Sequence, residues 1–209
     1  MAWFSRFTRF GDMHWVFGQE KEISCGVACV IMAAYKINKL RPGVKSSFTE
    51  ADILARATKL LGANPLGAAG LTIGQITKLL NHADFKMAGW THTRIPKKTV
   101  PKKLISTIGT TGGLGPTVNV KPMIVMVDWK GGGGSHYVVV DTVRTFLGDI
   151  YATFCDPWDA NVHVVKMEKA KELHYTGKPA VKLDFGGSHY EYDTPSVGSV
   201  FDGDVFWRT

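Results

Sequence analysis

The sequence predicts an α+β fold in which helices occupy the first half of the chain and strands the second half. Apolar residues recur at helical spacing between residues 25 and 108. From residue 123 onward, short β-branched and aromatic runs alternate with Gly, Asp and Asn. Helices followed by strands are typical of an antiparallel sheet with helices packed on it. Because 44% of the 209 residues are hydrophobic, the chain can bury the core of one domain.

The helices are predicted over residues 25–36, 50–61, 73–81 and 102–108. The first has small and apolar residues on nearly every face, which is typical of a buried central helix. Thr49 precedes the second helix and Thr72 the third, where a hydroxyl can accept from the free N–H groups of a first turn. Gly62 and Pro65 follow the second helix and indicate its end.

The strands are predicted over residues 123–127, 137–141, 149–155 and 162–165. Glycine-rich loops are expected over 109–119 and 131–134, where the backbone can approach a ligand closely. The aromatic-rich stretch 175–209 is predicted to be irregular and to pack on the domain. These patterns predict an N-terminal arm over 1–18, a main domain over 19–175 and a C-terminal extension over 176–209.

Composition excludes several classes of function. The formal charge is +7, but Lys and Arg are scattered along the chain, so no nucleic-acid site is predicted. The sequence contains no run of eighteen apolar residues, so no membrane span is predicted. Residues 1–10 mix arginines with aromatics, so no cleavable leader is predicted there. The three cysteines of a chain without such a leader are expected to be free thiols in a reduced, cytoplasmic setting.

Cys25 is the candidate nucleophile because it stands where the first helix should begin. A helix N-terminus carries partial positive charge and unpaired N–H groups, which favour the reactive thiolate. The neighbouring Ser24 and Gly26 leave space for an extended substrate to reach the sulfur. Cys29 lies one turn further into the helix and is expected to point into the core.

Two further residues have types and positions that suit thiol chemistry. Gln19 lies six positions before Cys25, and its amide could donate to the oxyanion that forms when a thiolate attacks a carbonyl. His136 stands at the start of a predicted strand, after Ser135 and the flexible glycine tract that ends with Gly134. A histidine at such a position can face a cleft and serve as a base.

Asp156 ends the next predicted strand and is the candidate partner of His136. In an antiparallel hairpin, the end of that strand lies beside the start of the strand that carries His136. A carboxylate there could fix the tautomer of the imidazole and stabilise its protonated form. Asp128 is an alternative partner, and Trp158 could line the substrate groove, although a large aromatic beside a strand end is often part of the core.

Short blocks of the chain carry a family resemblance. The blocks are Gln19, Ser24-Cys25-Gly26-Val27-Ala28-Cys29, Gly70-Leu71-Thr72, Ser135-His136-Tyr137-Val138-Val139-Val140 and Asp156-Pro157. They resemble the C39-like branch of the papain-like cysteine proteases and, more loosely, the papain-like effector proteases that bacteria inject into host cells. The resemblance covers about residues 19–169. Family members fused to a transporter cut after paired glycines, and this specificity is not carried over because the chain has no transporter.

The resemblance implies a papain-like fold and the roles of nucleophile for Cys25, base for His136, orienter for Asp156 and oxyanion donor for Gln19. Groove positions are assigned to Ser24, Gly26, Gly134, Ser135 and Trp158. The implied activity is hydrolysis of peptide or isopeptide bonds. Acyl transfer or deamidation by the same triad, or a catalytically silent peptide-binding module, are the alternatives.

The implied partner is a protein or peptide substrate, and neither a cofactor nor a metal ion is expected. The histidines at 163, 174 and 189 lack metal-ligand spacing with cysteines or carboxylates and are predicted to lie on the surface or in packing. Without a leader, the enzyme would act in the cytoplasm or leave through a dedicated secretion system as an effector or toxin. A cognate inhibitor or immunity protein would then be a further partner.

Overall fold

The structure, a computed structural model, describes residues 3–62, 64–67, 69–117, 121–129, 134–168, 171, 174–175 and 199–209. Its helices are α1 (Cys25–Asn38), α2 (Glu50–Leu61), α3 (Ile73–Leu80) and α4 (Val100–Ile108). Its strands are β1 (Trp3–Phe7), β2 (Met13–Phe17), β3 (Trp90–Arg94), β4 (Thr111–Gly112), β5 (Met123–Trp129), β6 (Ser135–Phe146), β7 (Asp149–Asp156), β8 (Asn161–Met167), β9 (His174–Tyr175) and β10 (Ser199–Arg208). No helix within the described residues is long and apolar enough to cross a membrane.

A large antiparallel sheet dominates the second half of the chain. Its strands lie in the order β3-β10-β5-β6-β7-β8, and β9 pairs with β10. All of these pairs are antiparallel, whereas the short β4 runs parallel to β6. Strands β1 and β2 form a separate two-stranded hairpin. The predicted α+β class is therefore confirmed.

The helix starts follow from their caps. Thr49 accepts from the N–H of Asp52, whose side chain accepts from the Thr49 N–H in return, and Thr72 makes the same reciprocal pair with Gln75. Each pair satisfies two donors that a helix start leaves free. The predicted helices are confirmed, although α4 begins at Val100, two residues before its predicted start.

Alternate residues of β6 contribute to two separate cores. Val139 packs with α1 in one core, whereas Val138 and Val140 pack with Leu104 of α4 in the other. Successive side chains of a strand point to opposite faces of a sheet. Because both faces of β6 are covered here, its residues 137–140 form an uninterrupted apolar run, and the strand packs against α1.

The region predicted as an N-terminal arm contains the β1–β2 hairpin. Val16 and Phe17 are fully buried in the core around α1. Asp12, in the hairpin loop, makes a two-pronged ion pair with the buried Arg144 of β6, at 2.6 Å and 3.1 Å. The hairpin is thus anchored by both apolar packing and a buried charge pair, while the boundary at residue 18 stays a prediction.

A buried charge cluster, which we call the Lys36 cluster, joins the hairpin to α1 and β6. It comprises Lys36, Asp141, His14 and Cys155. The Lys36 Nζ and His14 Nδ1 atoms lie 2.7 Å and 2.5 Å from Asp141 Oδ2. Burial lowers the pKa of His14, but the hydrogen bond and charge of Asp141, aided by Cys155, raise it to about 9. Burial raises the pKa of Asp141, but the charge of Lys36 and the His14 contacts hold it well below its usual range.

The C-terminal part differs from its prediction. Residues 199–208 form the strand β10, which lies between β3 and β5 in the sheet, so the prediction of an irregular tail is wrong over this segment. The register of β10 shifts between Phe201 and Val205. Gly203 lies in this shift with φ +100, and an added Cβ would come within 2.1 Å of the Ile95 carbonyl oxygen. The interruption breaks the alternating pattern that identifies a strand. Residues 176–198 of the predicted extension lie outside the described residues.

Candidate active site

Cys25 is the first residue of α1 and is partly exposed. The preceding Ser24 makes no side-chain capping bond to the helix, and the first turn contains no acidic residue. The N–H groups of this turn and their partial positive charge are therefore not offset by a cap or by a carboxylate of the turn. The thiol lies at the end of a helix that favours a negative charge.

His136, at the start of β6, is paired with Asp156, at the end of β7. The His136 Nε2 and Asp156 Oδ1 atoms are 2.7 Å apart, and both side chains are almost completely buried. Asp156 Oδ1 also accepts from the Trp158 N–H at 2.8 Å, which fixes the carboxylate in the turn that follows β7. The pairing predicted from the hairpin arrangement of these strands is present in the structure.

The Cys25 side chain also acts on the His136 imidazole, because hydrogen bonding and charge from Cys25 both help to raise the pKa of the ring. Since Asp156 occupies Nε2, the nitrogen that remains available to the thiol is Nδ1. Burial lowers the pKa of His136, but the charge and hydrogen bond of Asp156, followed by Cys25, raise it to about 10. A histidine that keeps its proton beside a thiol favours the thiolate–imidazolium form of the pair.

Gln19 lies in the loop before α1 and is tied to the Asp156 turn through its backbone. Its N–H donates to the Pro157 carbonyl at 2.9 Å. Its side-chain Nε2 donates to the carbonyls of Lys21 and Glu22, at 2.8 Å and 3.0 Å. Its Oε1 is buried and has no hydrogen-bond partner among the described residues. To donate to an oxyanion, Gln19 must therefore release one of these carbonyls.

Glu50, the first residue of α2, holds this loop from outside, and the sequence did not point to it. Its Oε1 accepts from the Glu20 N–H at 2.7 Å and from the Ser24 hydroxyl at 2.9 Å. Burial raises the pKa of Glu50, against the effect of these two hydrogen bonds. In the sequence, Glu50 is distinguished only by its position directly after Thr49, the cap of α2. That position does not predict that its carboxylate is buried. Glu50 holds the segment between Gln19 and Cys25 in place.

Asp128, the alternative partner for His136, is engaged elsewhere. Its Oδ1 accepts from the Ser135 hydroxyl at 3.0 Å, and its Oδ2 lies 4.0 Å from Lys97 Nζ. Ser135 and Gly134 are exposed, and Gly134 has φ +87, which glycine adopts without strain. The geometry therefore pairs His136 with Asp156, while Asp128 lies beside the exposed Ser135 at the end of the β5–β6 pair.

The other predicted groove residues differ in exposure. Trp158 is 42% exposed, and its ring meets that of His136 edge to face at 6.3 Å. Ser24 is fully buried and its hydroxyl is bonded within the loop, so it does not face a groove. Gly26 is buried, and a Cβ there would come within 3.0 Å of Ile76. Gly26 thus allows α3 to pack closely against α1.

The remaining cysteines are fully buried. Burial raises the pKa of Cys29 well above its usual range, aided by the charges around it, as expected for a thiol that points into the core. Cys155 belongs to the Lys36 cluster. Within the described residues, Cys25 is the cysteine that reaches the surface.

The described residues include two groups that could ligate a metal ion: His14, Asp141 and Cys155, and Asp156, Asp159 and His163. The first group already contains the Lys36 ammonium, 2.7 Å from the shared carboxylate, which opposes a second cation. The second includes the partner of His136 and a buried His163–Asp159 pair with a 2.8 Å contact. The sequence did not indicate this pair, because the four-residue spacing is across a turn and not along a helix.

Comparison with known proteins identifies the fold. No protein-family model and no curated protein matches the chain. A solved double glycine motif protease from an AMS/PCAT transporter, in complex with the leader peptide, is 19% identical over 99% of both chains, with a TM-score of 0.41. A papain-like mite cysteine protease, from a study of antibody cross reactivity between the mite allergens Blo t 1 and Der p 1, is 10% identical. The match covers 97% of this chain and 68% of the mite protein, with a TM-score of 0.50.

The class of the fold follows from this second likeness and from the packing of helices on a large antiparallel sheet. The chain has the papain-like fold, as the resemblance carried by its Cys, His and Asp blocks implied.

Proposed function

We propose that this chain is a cysteine peptidase that hydrolyses peptide or isopeptide bonds. The observation that carries the proposal is the position of His136, whose Nε2 bonds to Asp156 at 2.7 Å and whose pKa is raised by Asp156 and by the nearby Cys25 side chain. Nucleophile, base and orienter in this order form the arrangement that activates a thiol for acyl chemistry. The papain-like fold supports the same assignment.

The reaction begins with the Cys25 thiolate and the His136 imidazolium. The sulfur attacks the carbonyl carbon, and the carbonyl oxygen becomes an oxyanion that the Cys25 N–H stabilises. Gln19 is the proposed second donor, once an Nε2 hydrogen leaves its backbone acceptor. The C–N bond then breaks as His136 gives its proton to the leaving nitrogen, which leaves a thioester and a neutral imidazole.

Water completes the cycle. His136 accepts a proton from water as the oxygen attacks the thioester carbonyl. The C–S bond then breaks, releasing the acid and regenerating the thiolate–imidazolium pair. Asp156 holds the imidazole by its Nε2–H throughout and stays ionised. A primary amine in place of water would give acyl transfer, which an added amine acceptor detects as a product of higher mass.

The proposal is tested by intact-mass labelling with iodoacetamide between pH 5 and 9. We expect one adduct at pH 6–7 in the unaltered chain, none in Cys25→Ala, and a rate reduced by about a hundredfold in His136→Gln. Cys29→Ala is the matched control, because this thiol lies one helical turn away and is fully buried, and it should label normally. Labelling that rises only near the ordinary thiol pKa of about 8.5 and ignores His136 would exclude the peptidase and favour a silent peptide-binding module.

Substrate and place of action extend the same proposal. A protein or peptide is the proposed substrate, because an exposed Trp158 beside His136 offers an apolar surface to an extended chain. Action as an exported effector or toxin, with a cognate inhibitor, is a prediction from the family resemblance. Cleavage of a bacterial and of a eukaryotic proteome by the purified chain, with Cys25→Ala as the blank, would reveal where its substrates lie.

A further inference from the structure

A second histidine–aspartate pair lies directly behind Asp156. In the β7–β8 ladder, Asp156 pairs with Asn161 and Phe154 with His163. Directly opposed residues share a face of the sheet, so His163 lies on the same face as Asp156, one pair further along. His163 Nε2 is 2.8 Å from Asp159 Oδ2, and Asp159 Oδ1 accepts from the Asn161 N–H at 3.0 Å.

The two carboxylates and the second imidazole are close together and buried. One polar atom of each of Asp156, Asp159 and His163 lies within 4.8 Å of the others. The three residues are 1%, 6% and 0% exposed. Burial and the charge of Asp156 raise the pKa of Asp159, while His163 opposes the rise. Two ionised carboxylates at this distance repel each other strongly when water is excluded, unless a positive charge lies beside both.

We propose that His163 carries a proton and, held by Asp159, acts as a positioning residue that keeps Asp156 ionised and directed at His136. This inference rests on the proposed peptidase function, because it concerns the orienter of the same site. Negative and positive charges then alternate along the series Cys25, His136, Asp156, His163 and Asp159. His163 touches no reacting atom and acts only through Asp156.

A proton suits this position better than a metal ion. The 2.8 Å separation of His163 Nε2 and Asp159 Oδ2 is the distance of a close ion pair. Two ligands of a tetrahedral ion with bonds of about 2.0–2.1 Å lie roughly 3.3 Å apart. Among the described residues, two further titratable groups lie near the network: the Cys29 thiol of α1, whose pKa the Asp156 charge helps to raise, and Arg6 of β1, whose guanidinium donates to the Ala160 carbonyl at 2.9 Å.

The experiment measures the pH dependence of Cys25 alkylation, which needs no substrate. Iodoacetamide labelling rates are recorded from pH 3.5 to 9.5 for the unaltered chain, His163→Gln, Asp159→Asn and the double variant, with circular dichroism at each pH. His92→Gln is the matched control. His92 also pairs with a buried aspartate, Asp204, at 2.6 Å, but it lies on β3, at the opposite end of the sheet from β8.

The charges predict opposite shifts for the single variants. His163→Gln leaves Asp156 and Asp159 without the positive charge close to both, so Asp156 takes up a proton at higher pH and no longer stabilises the His136 imidazolium. We expect the acid limb of the labelling profile to move up by about one pH unit. Asp159→Asn removes the competing carboxylate and should leave the limb unchanged or lower. The double variant removes both charges, so its acid limb should lie close to that of the unaltered chain.

A packing role predicts a different pattern, which would overturn the inference. Both single variants would then slow labelling at every pH, and the double variant would be at least as slow. If His163→Gln does not fold, nitrogen-15 NMR of the unaltered chain decides, since a His163 ring that is neutral at pH 7 contradicts the proposal. Failure of the unaltered chain itself to label below pH 7 would remove the proposed peptidase, and the inference with it. Normal labelling with no shift in His163→Gln would remove only the inference.

Discussion

His136 connects the groups of the candidate site at the scale of single residues. It is buried, which alone would favour the neutral ring, yet its pKa is raised to about 10 because Asp156 and Cys25 stabilise the charged ring. Its unfolded pKa is about 6.5, so the proton it keeps on folding contributes stability fully below pH 6.5. That contribution is lost as the pH rises from 6.5 to 10. The group that is the proposed base of the peptidase therefore also stabilises the fold.

Asp156→Asn should lower the pKa of His136 by about 3 units, because the charge and hydrogen bond that oppose burial most strongly would then be gone. The measurement is an NMR titration of the His136 ring, assigned with His136→Gln. Asp128→Asn is the control, because its carboxylate bonds to Ser135 and should leave the titration unchanged. An equal drop in both variants would contradict the choice of Asp156 as orienter.

Gln19→Ala should separate two kinds of reaction at Cys25. Acylation by p-nitrophenyl acetate passes through an oxyanion and should slow by about a hundredfold, whereas alkylation by iodoacetamide forms no oxyanion and should keep its rate. The comparison is needed because Gln19 Nε2 donates to the Lys21 and Glu22 carbonyls in the structure. Equal losses in both reactions would mean that Gln19 only holds the loop before α1.

The sequence could identify these residues because type and position were both informative. A cysteine at a helix start and a histidine at a strand start each follow from local patterns, and the hairpin order of β6 and β7 placed Asp156 beside His136. The side-chain directions of Gln19 and Ser24 could not be predicted, because Gln19 bonds to carbonyls of its own loop and Ser24 bonds to the distant Glu50. The contact of His163 with Asp159 could not be predicted either, because it depends on the turn between them.

At the scale of elements, prediction succeeded where one segment determines its own structure. The capping residues Thr49 and Thr72 and an apolar periodicity defined α2 and α3. It failed for β10, whose register shift around Gly203 hides the alternation and whose neighbours, β3 and β5, are far away in sequence. The hairpin β1–β2 was also missed, because buried partners such as Arg144 decide its position. Elements fixed by long-range contacts need the fold before they can be recognised.

Lys36→Met should weaken the connection between α1 and β6. It would leave the buried Asp141 carboxylate without its ammonium partner, and we expect the free energy of unfolding to fall by about 3–5 kcal/mol in urea at pH 7. Adding Asp141→Asn should recover much of this loss, since the carboxylate that has lost its ammonium partner is then replaced by a neutral amide. Lys39→Met, one position beyond the end of α1 and exposed, is the control and should change stability by less than about 0.5 kcal/mol. A loss as small as that of the control would mean that the pair contributes nothing.

At the scale of the whole molecule, the buried histidines make folding a proton-binding reaction. His14, in the Lys36 cluster, has its pKa raised to about 9 on folding, and His136 has its pKa raised to about 10. The two lie in separate clusters, one joining the hairpin to α1 and β6 and the other at the candidate site. Between pH 7 and 8.5 each ring is protonated in the folded chain and mostly neutral in the unfolded chain, so rising pH favours unfolding.

His14→Gln should isolate one of these protons in the stability of the whole chain. A group whose folded pKa lies above its unfolded value contributes fully below about pH 6.5 and loses its contribution as pH rises toward 9. Over pH 7 to 8.5, the free energy of unfolding of the unaltered chain should therefore fall more steeply than that of His14→Gln, by about 1.4 kcal/mol per pH unit. Urea unfolding curves at half-unit steps measure both slopes. Parallel slopes would mean that His14 is neutral in the fold, and that Asp141 is balanced by Lys36 alone.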